Sequence, residues 1–174
     1  LFKPKDIVSG DFYFFHKNEQ SVFIASADCT GHGVPGAFMS MIAFEKLEDA
    51  FLFSTDTSEI LGFLNKKIKA ALHQSGNDES MRDGMDIALC SIDTDNCTLT
   101  FSGANRPLWI IRKGQNNVEE WKGTRKAIGG FTDDAQHFES HKVQLKKGDS
   151  FYIFSDGYAD TFGGESGKKL TPKR

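Results

Sequence analysis

Residues 11–28 read DFYFFHKNEQSVFIASAD, and how the two halves of this stretch pair decides the fold. Phe12 to Phe15 (FYFF) and Val22 to Ala27 (VFIASA) are rich in aromatic and β-branched residues, with the polar HKNEQS between them as a turn. That is a β-hairpin. With its turn centred near Glu19 and Gln20, opposed residues have numbers summing to about 39. Asp11 then faces Asp28. Like charges directly opposite on paired strands are destabilising, and carboxylates brought this close push one pKa upward. From the hairpin alone two outcomes stay open. Either the acids splay into solvent at a frayed end, or a divalent cation such as Mg²⁺ or Mn²⁺, which prefers oxygen ligands, lies between them.

Outward from the hairpin comes a glycine-rich elbow, Gly31-His32-Gly33-Val34-Pro35-Gly36. AFMSMIAFEKLEDAFLF follows without a turn residue, which predicts a helix starting near Pro35. Its first half has almost no polar residue before Glu45 and is expected to be buried on most sides. A second helix is expected from Ser58 to about Ser75. Asp56 and Glu59 would form its capping box, Leu61, Leu64, Ile68 and Leu72 its apolar stripe, and Gly76 its stop.

The second half changes character. Ile87 to Ile92 is a continuous apolar run, Asp93 to Asn96 a turn, and Thr98 to Gly103 a strand with Leu99 and Phe101 on one face. Further strands are expected at Leu108 to Arg112, around Val118 to Trp121, at Phe138 to Leu145 and at Ser150 to Ser155. Turns are expected at Lys113-Gly114 and Lys147-Gly148-Asp149. Gly123 to Gln136 has no clean period and reads as a surface loop. A strand pair, two helices and a run of antiparallel strands make an α+β protein with helices segregated from sheets.

Composition bounds the function. At 174 residues the chain fits one domain over residues 1–174. With 39% apolar and 26% charged residues it is of the soluble globular type. Apolar runs such as Phe12 to Phe15 fall far short of the roughly 18 residues of a spanning helix, so no membrane contact is expected. The net charge of −3 argues against a nucleic-acid binder. Residues 167–174 (GKKLTPKR) hold four bases and no acid, so the remaining body carries 17 bases against 24 acids, or −7. Three cysteines, Cys29, Cys90 and Cys97, without a C-x-x-C spacing point to a reducing, cytoplasmic setting and away from disulfides or zinc. The opening on Leu1 reads as a piece of a longer polypeptide.

Two more acids stand where strands end. Asp86 precedes the buried IALCSI run, and Asp156 follows FYIFS in Ser155-Asp156-Gly157. Each alone is an ordinary turn aspartate. Together with Asp11 and Asp28 they are what an oxygen-only metal cluster needs, with glycines nearby that let backbone come close to ions.

VSGDFYFF, ADCTGHGVPGAFMSMIA, DGMDIAL, FSGANRPLWIIR and GDSFYIFSDGYAD, in this order, resemble the bacterial SpoIIE-like branch of the metal-dependent protein Ser/Thr phosphatases, the PPM or protein phosphatase 2C-like family. The resemblance runs from about Lys3 to Gly167. It implies two antiparallel sheets packed as a sandwich flanked by helices, in α-β-β-α order, with two or more Mn²⁺ or Mg²⁺ ions at one end. Asp11 would bind at least one ion, and Asp28 would bridge both. The Cys29 carbonyl would add an oxygen, Asp156 would bind one ion, and Asp86 would lie beside the cluster. The implied reaction is attack of a metal-bridging water on phosphoserine or phosphothreonine. His32 is read either as a hydrogen-bonded elbow residue or as a proton donor contacting substrate. Arg106 is read either as a phosphate contact or as a solvent-facing turn arginine. A thiol nucleophile is excluded because Arg follows none of the three cysteines at six residues, and no Walker loop is present.

The family usually ends on a D-D-[IV]-x-L-[IL] strand that completes the metal site, and this sequence reaches Pro172-Lys173-Arg174 before one. The resemblance therefore leads us to expect that the last helix and strand are missing, with impaired metal binding. A second reading follows, a catalytically weak phosphatase-like module that acts by binding a partner. Expected partners are a phosphoprotein substrate, by resemblance a STAS-type anti-sigma-factor antagonist, and regulatory or sensor domains of the same parent chain. An uncovered strand edge would also permit a dimer.

Overall fold

The computed structural model describes residues 2–4, 7–74, 83–163 and 168–169. The hairpin forms in the expected register. Strand β1 (Asp11–Lys17) pairs antiparallel with β2 (Ser21–Cys29), and Asp11 is opposite Asp28. Asn18 closes the turn, its side-chain oxygen accepting from the backbone N–H groups of Gln20 and Ser21.

Helix α1 (Gly33–Phe53) and helix α2 (Thr57–Ala71) follow. The larger sheet continues with β3 (Gly84–Asp93), β4 (Thr98–Ala104) and β8 (Ser140–Gln144) in the order β1-β2-β3-β4-β8. The smaller sheet has the order β6-β5-β9, from β5 (Leu108–Ile111), β6 (Val118–Trp121) and β9 (Ser150–Tyr152). A short α3 (Gly157–Asp160) and the pair β10 (Phe162–Gly163) and β11 (Lys168–Lys169) complete the described elements.

Two cores separate these layers. Met85, Ile87 and Leu89 of β3 pack with Phe23, Ala25 and Ala27 of β2 against the two helices. Ala88 and Cys90 point the other way, joining Leu99, Phe101 and Val143 against Leu108 and Ile110 of the smaller sheet. Being covered on both faces is why IALCSI is apolar without alternation. The result is α+β, two antiparallel sheets with helices against the outer face of the larger one.

Several expectations need correction. Helix α1 starts at Gly33, near Pro35 as expected, but it is not buried on most sides. Gly36, Met39, Ala43, Leu47 and Ala50 are buried, while Val34, Phe38 and Met41 are 62, 63 and 69% exposed. A helix that is apolar all round gives no contrast from which to choose the inner stripe, and here the small Gly36, Ala43 and Ala50 mark it. Helix α2 ends at Ala71, where His73 takes a left-handed φ of 53° and Gln74 N–H reaches the Lys69 carbonyl. The stop expected at Gly76 lies outside the described residues. The capping box is half-made: Asp56 accepts from Ser58 and Glu59 N–H, but the Glu59 carboxylate accepts from Ser54 Oγ. The loop expected over 123–136 contains β7 (Ile128–Gly129), which pairs with Gly84 and Met85 and is buried.

Arg112 joins the two sheets. Its guanidinium donates to both oxygens of Glu119 on β6, to the Gln144 carbonyl at the end of β8 and to Asp149 in the following turn. The Asp149 side chain is 2% exposed. Backbone N–H of Lys113, then Arg112, then Lys146 N–H hold its pKa down at about 2, against an ordinary 3.8. A lowered folded-state pKa stabilises above the unfolded value and is lost as pH falls through the folded one. Asp149→Asn is therefore expected to lower Tm at pH 7, with the gap to the wild type closing as pH drops from about 4 to 2. A gap that stays constant over thermal melts across that range would contradict this role.

Candidate metal centre

Strand register assembles the site. Asp28 is opposite Asp11 on one side and Asp86 on the other, so three aspartates form one row across β1, β2 and β3. Alternation sends Ala27, Cys29, Met85 and Ile87 toward the helices, and therefore sends the row to the face that meets the smaller sheet. The fourth acid, Asp156, comes from that second sheet, just beyond β9. β9 is shorter than the expected Ser150 to Ser155, and the residues so released turn into the site: Ser155 Oγ donates to Asp11 Oδ2 at 2.7 Å. The four predicted aspartates thus meet at one end of the sandwich.

Arg106 sits among them, which excludes the solvent-facing reading. Its Nη2 lies 2.5 Å from Asp28 Oδ2, 2.8 Å from Asp156 Oδ2 and 3.4 Å from Asp86 Oδ2, and its side chain is 15% exposed. Burial works against its charge, but Asp156, Asp28 and Asp86 more than offset this and raise its pKa. Asn105, at a left-handed φ of 58°, donates to Asp86 Oδ1 at 2.8 Å. Burial, then the charges of Asp11 and Asp156, push the Asp28 carboxyl up to about 7 against the lowering pull of Arg106. Burial first, then Asp28 and Asp11, push the Cys29 thiol up to about 12, which removes it as a nucleophile.

The donor set suits a hard divalent cation. Its side-chain donors are carboxylate oxygens, with four formal negative charges against one positive. The spacing is that of a guanidinium cluster, since oxygens 2.5–3.4 Å from one point are wider than the roughly 2.1 Å of a Mg²⁺ shell. Among the described residues, no three His, Cys, Asp or Glu groups close around a single ion position as they stand.

Asp28, Asp86 and Asp156 border a cavity of about 620 Å³. His32 lines it from the N-cap of α1, and Arg125 and Lys126 line it from the loop before β7. Neither basic residue stood out in the sequence, because only the fold brings that loop to the acids. The wall at 129–134 starts on β7 and is tied to α2 and the turn after it. Asn65 accepts from Gly129 N–H and donates to the Asp133 carbonyl, Lys69 donates to the Thr132 carbonyl, and Gln74 accepts from Gly130 N–H. The elbow is held by close backbone approach: a Cβ on Gly10 would lie 2.6 Å from the Gly31 carbonyl oxygen, and one on Gly36 equally close.

This layering is that of the protein phosphatase 2C class of fold. The family described as stage II sporulation protein E (SpoIIE) matches residues 18–173, and the chain belongs to that family. The phosphoserine phosphatase RsbU of Bacillus subtilis is 30% identical over 161 residues, covering 90% of this chain and 44% of that protein. The SiaA-PP2C domain of Pseudomonas aeruginosa superposes with a TM-score of 0.86 at 33% identity, covering 99% of this chain and 66% of that one. RsbX, solved in complex with magnesium, shares the fold with a TM-score of 0.65 at 19% identity over 91% of this chain and 71% of that one. The chain spans less than two thirds of the first two relatives it matches.

Gly10→Ala is expected to push the elbow off the acid row, costing about 1–3 kcal/mol, and to weaken any Mn²⁺-induced rise in Tm. Denaturant melts with and without Mn²⁺ measure both. Unchanged stability would mean that the Gly10–Gly31 approach is not tight.

Proposed function

We propose that the chain is a metal-dependent protein serine/threonine phosphatase domain acting on a phosphorylated signalling protein. The observation that carries this is the acid row, in which Asp11, Asp28 and Asp86 occupy one ladder position and Asp156 meets them from the second sheet. Adjacent acids in a partly buried place oppose folding, and a site for cations gives them a reason to be together.

Asp11, Asp28 and Asp156 would hold two Mn²⁺ or Mg²⁺ ions, with the Cys29 carbonyl as a further oxygen and Asp86, oriented by Asn105, at the edge. Bound there, such ions supply an acidified water for in-line attack on phosphorus and balance charge on the phosphoryl oxygens. The chain's own groups do the rest. Ser155 orients the Asp11 carboxylate. His32 reaches the same cavity and would contact the phosphoryl group or the leaving seryl oxygen. Arg125 and Lys126 put positive charge on the wall that an incoming phosphoprotein would pass.

The SpoIIE family membership and the name of the RsbU relative support phosphoserine as the substrate. A STAS-type anti-sigma-factor antagonist is the proposed phosphoprotein, with sensor domains elsewhere in the parent chain. Free Cys29, Cys90 and Cys97 suit a reducing cytoplasm, and no described helix is long and apolar enough to cross a membrane.

Asp28→Asn is expected to lower Mn²⁺-dependent turnover of a phosphoserine protein by at least about a hundredfold, while the fold, followed by circular dichroism, persists. Undiminished turnover would overturn the assignment. No turnover in the wild type, with a phosphoprotein still bound, would favour the partner-binding module.

A further inference from the structure

The Arg106 guanidinium does not use its fork. An arginine facing carboxylates usually pairs bidentately, two nitrogens to two oxygens, as Arg112 does with Glu119. Arg106 instead points a single nitrogen, Nη2, at three carboxylates from three different strand ends. It behaves as a point charge. Its Nε is buried and has no hydrogen-bond partner among the described residues, so the side chain is held in place by the acids and not by its stem.

The backbone beneath it is fixed. Arg106 N–H bonds the Ala104 carbonyl, Asn105 N–H bonds the Thr124 carbonyl, and Asn105 bridges to Ile87. A Cβ on Gly123 would lie 2.6 Å from the Arg106 carbonyl oxygen. A rigid base with a tip held only by carboxylates is a side chain that can change place, when those carboxylates take another cation, while the turn stays put.

We propose that Arg106 is the resident counter-cation of the metal-free site, which divalent ions displace from the aspartates as they bind. The proposal rests on the metal-site reading above. In the metal-free protein, Nη2 neutralises part of the repulsion between Asp28, Asp86 and Asp156 and keeps the two sheets together at this end. A cation taking those oxygens repels the guanidinium, which swings toward the cavity that it already lines, where the now buried Nε is open to water. Ion binding is then an exchange of one cation for another. The cost of expelling Arg106 sets the affinity low, and the site stays assembled when ions are scarce.

The test compares the wild type with Arg106→Gln and Arg106→Lys on the full chain. In EDTA at pH 7, Arg106→Gln is expected to melt about 2–4 °C lower, and Arg106→Lys, which keeps the charge, close to the wild type. Free Mn²⁺ followed by electron paramagnetic resonance is expected to show Arg106→Gln binding about tenfold more tightly, with Arg106→Lys near the wild type. An unchanged melt of Arg106→Gln in EDTA overturns the counter-cation role. Equal or weaker Mn²⁺ binding by Arg106→Gln overturns the displacement. A lysine variant that behaves as the glutamine one in both measurements shows that charge is not the property at work and overturns the proposal. If none of the three proteins takes up Mn²⁺, the two-ion reading falls and displacement falls with it.

Discussion

Asp11, Asp28 and Asp86 project from neighbouring strands onto the same face of the larger sheet, one at each step across the ladder. Strand neighbours are about 4.8 Å apart, so side-chain rotation separates these carboxylates only in part. Much of the surrounding structure answers that repulsion. The row stands at the end of the strands, where water and loops reach it, and not in mid-sheet. Arg106 and Asn105 arrive together from the β4–β5 turn to take up Asp28 and Asp86, and Ser155 arrives from the β9 end to take up Asp11.

The stability that allows this lies elsewhere. Strand β3 is packed on both faces, by the helices on one side and the smaller sheet on the other. Around Phe51, the rings of Phe14, His16 and Phe23 meet at centroid distances of 4.8–5.2 Å and tie β1 and β2 to helix α1. Edge strand β1, which carries the outermost acid, is thus anchored through its other face. A strand held only by its ladder would fray where two like charges oppose each other.

The hairpin was legible because its information is local: a polar turn fixes the register, and the register fixes Asp11 against Asp28. Asp86 was found as a strand-end acid, but its place beside Asp28 depends on β2 pairing with β3 across two intervening helices, and no local pattern encodes that. Arg106 was harder still. A turn arginine followed by Pro107 looks alike whether it faces water or acids, and the difference lies in which strands the turn connects. The buried face of α1 was misread for want of contrast, since Val34, Phe38 and Met41 are as apolar as the residues that pack. β7 escaped notice because two residues, one of them glycine, carry no period.

The two sides of the cavity have different mechanical origins. The acidic side is built on the ladder of the larger sheet, whose central strands are among the most buried parts of the molecule. The opposite side, 129–134, starts on β7, which pairs with β3, and is otherwise held by polar contacts to α2 and the turn after it, through Asn65, Lys69 and Gln74. Gln74 also donates to the Asp83 carbonyl, three residues before Asp86, so the same side chain touches both sides. Polar bonds at a partly solvated surface are individually weak and exchangeable with water, whereas an apolar core moves as a block. The contacts of the 130–134 wall can therefore exchange with water while the aspartate row, built on the packed ladder, stays where it is.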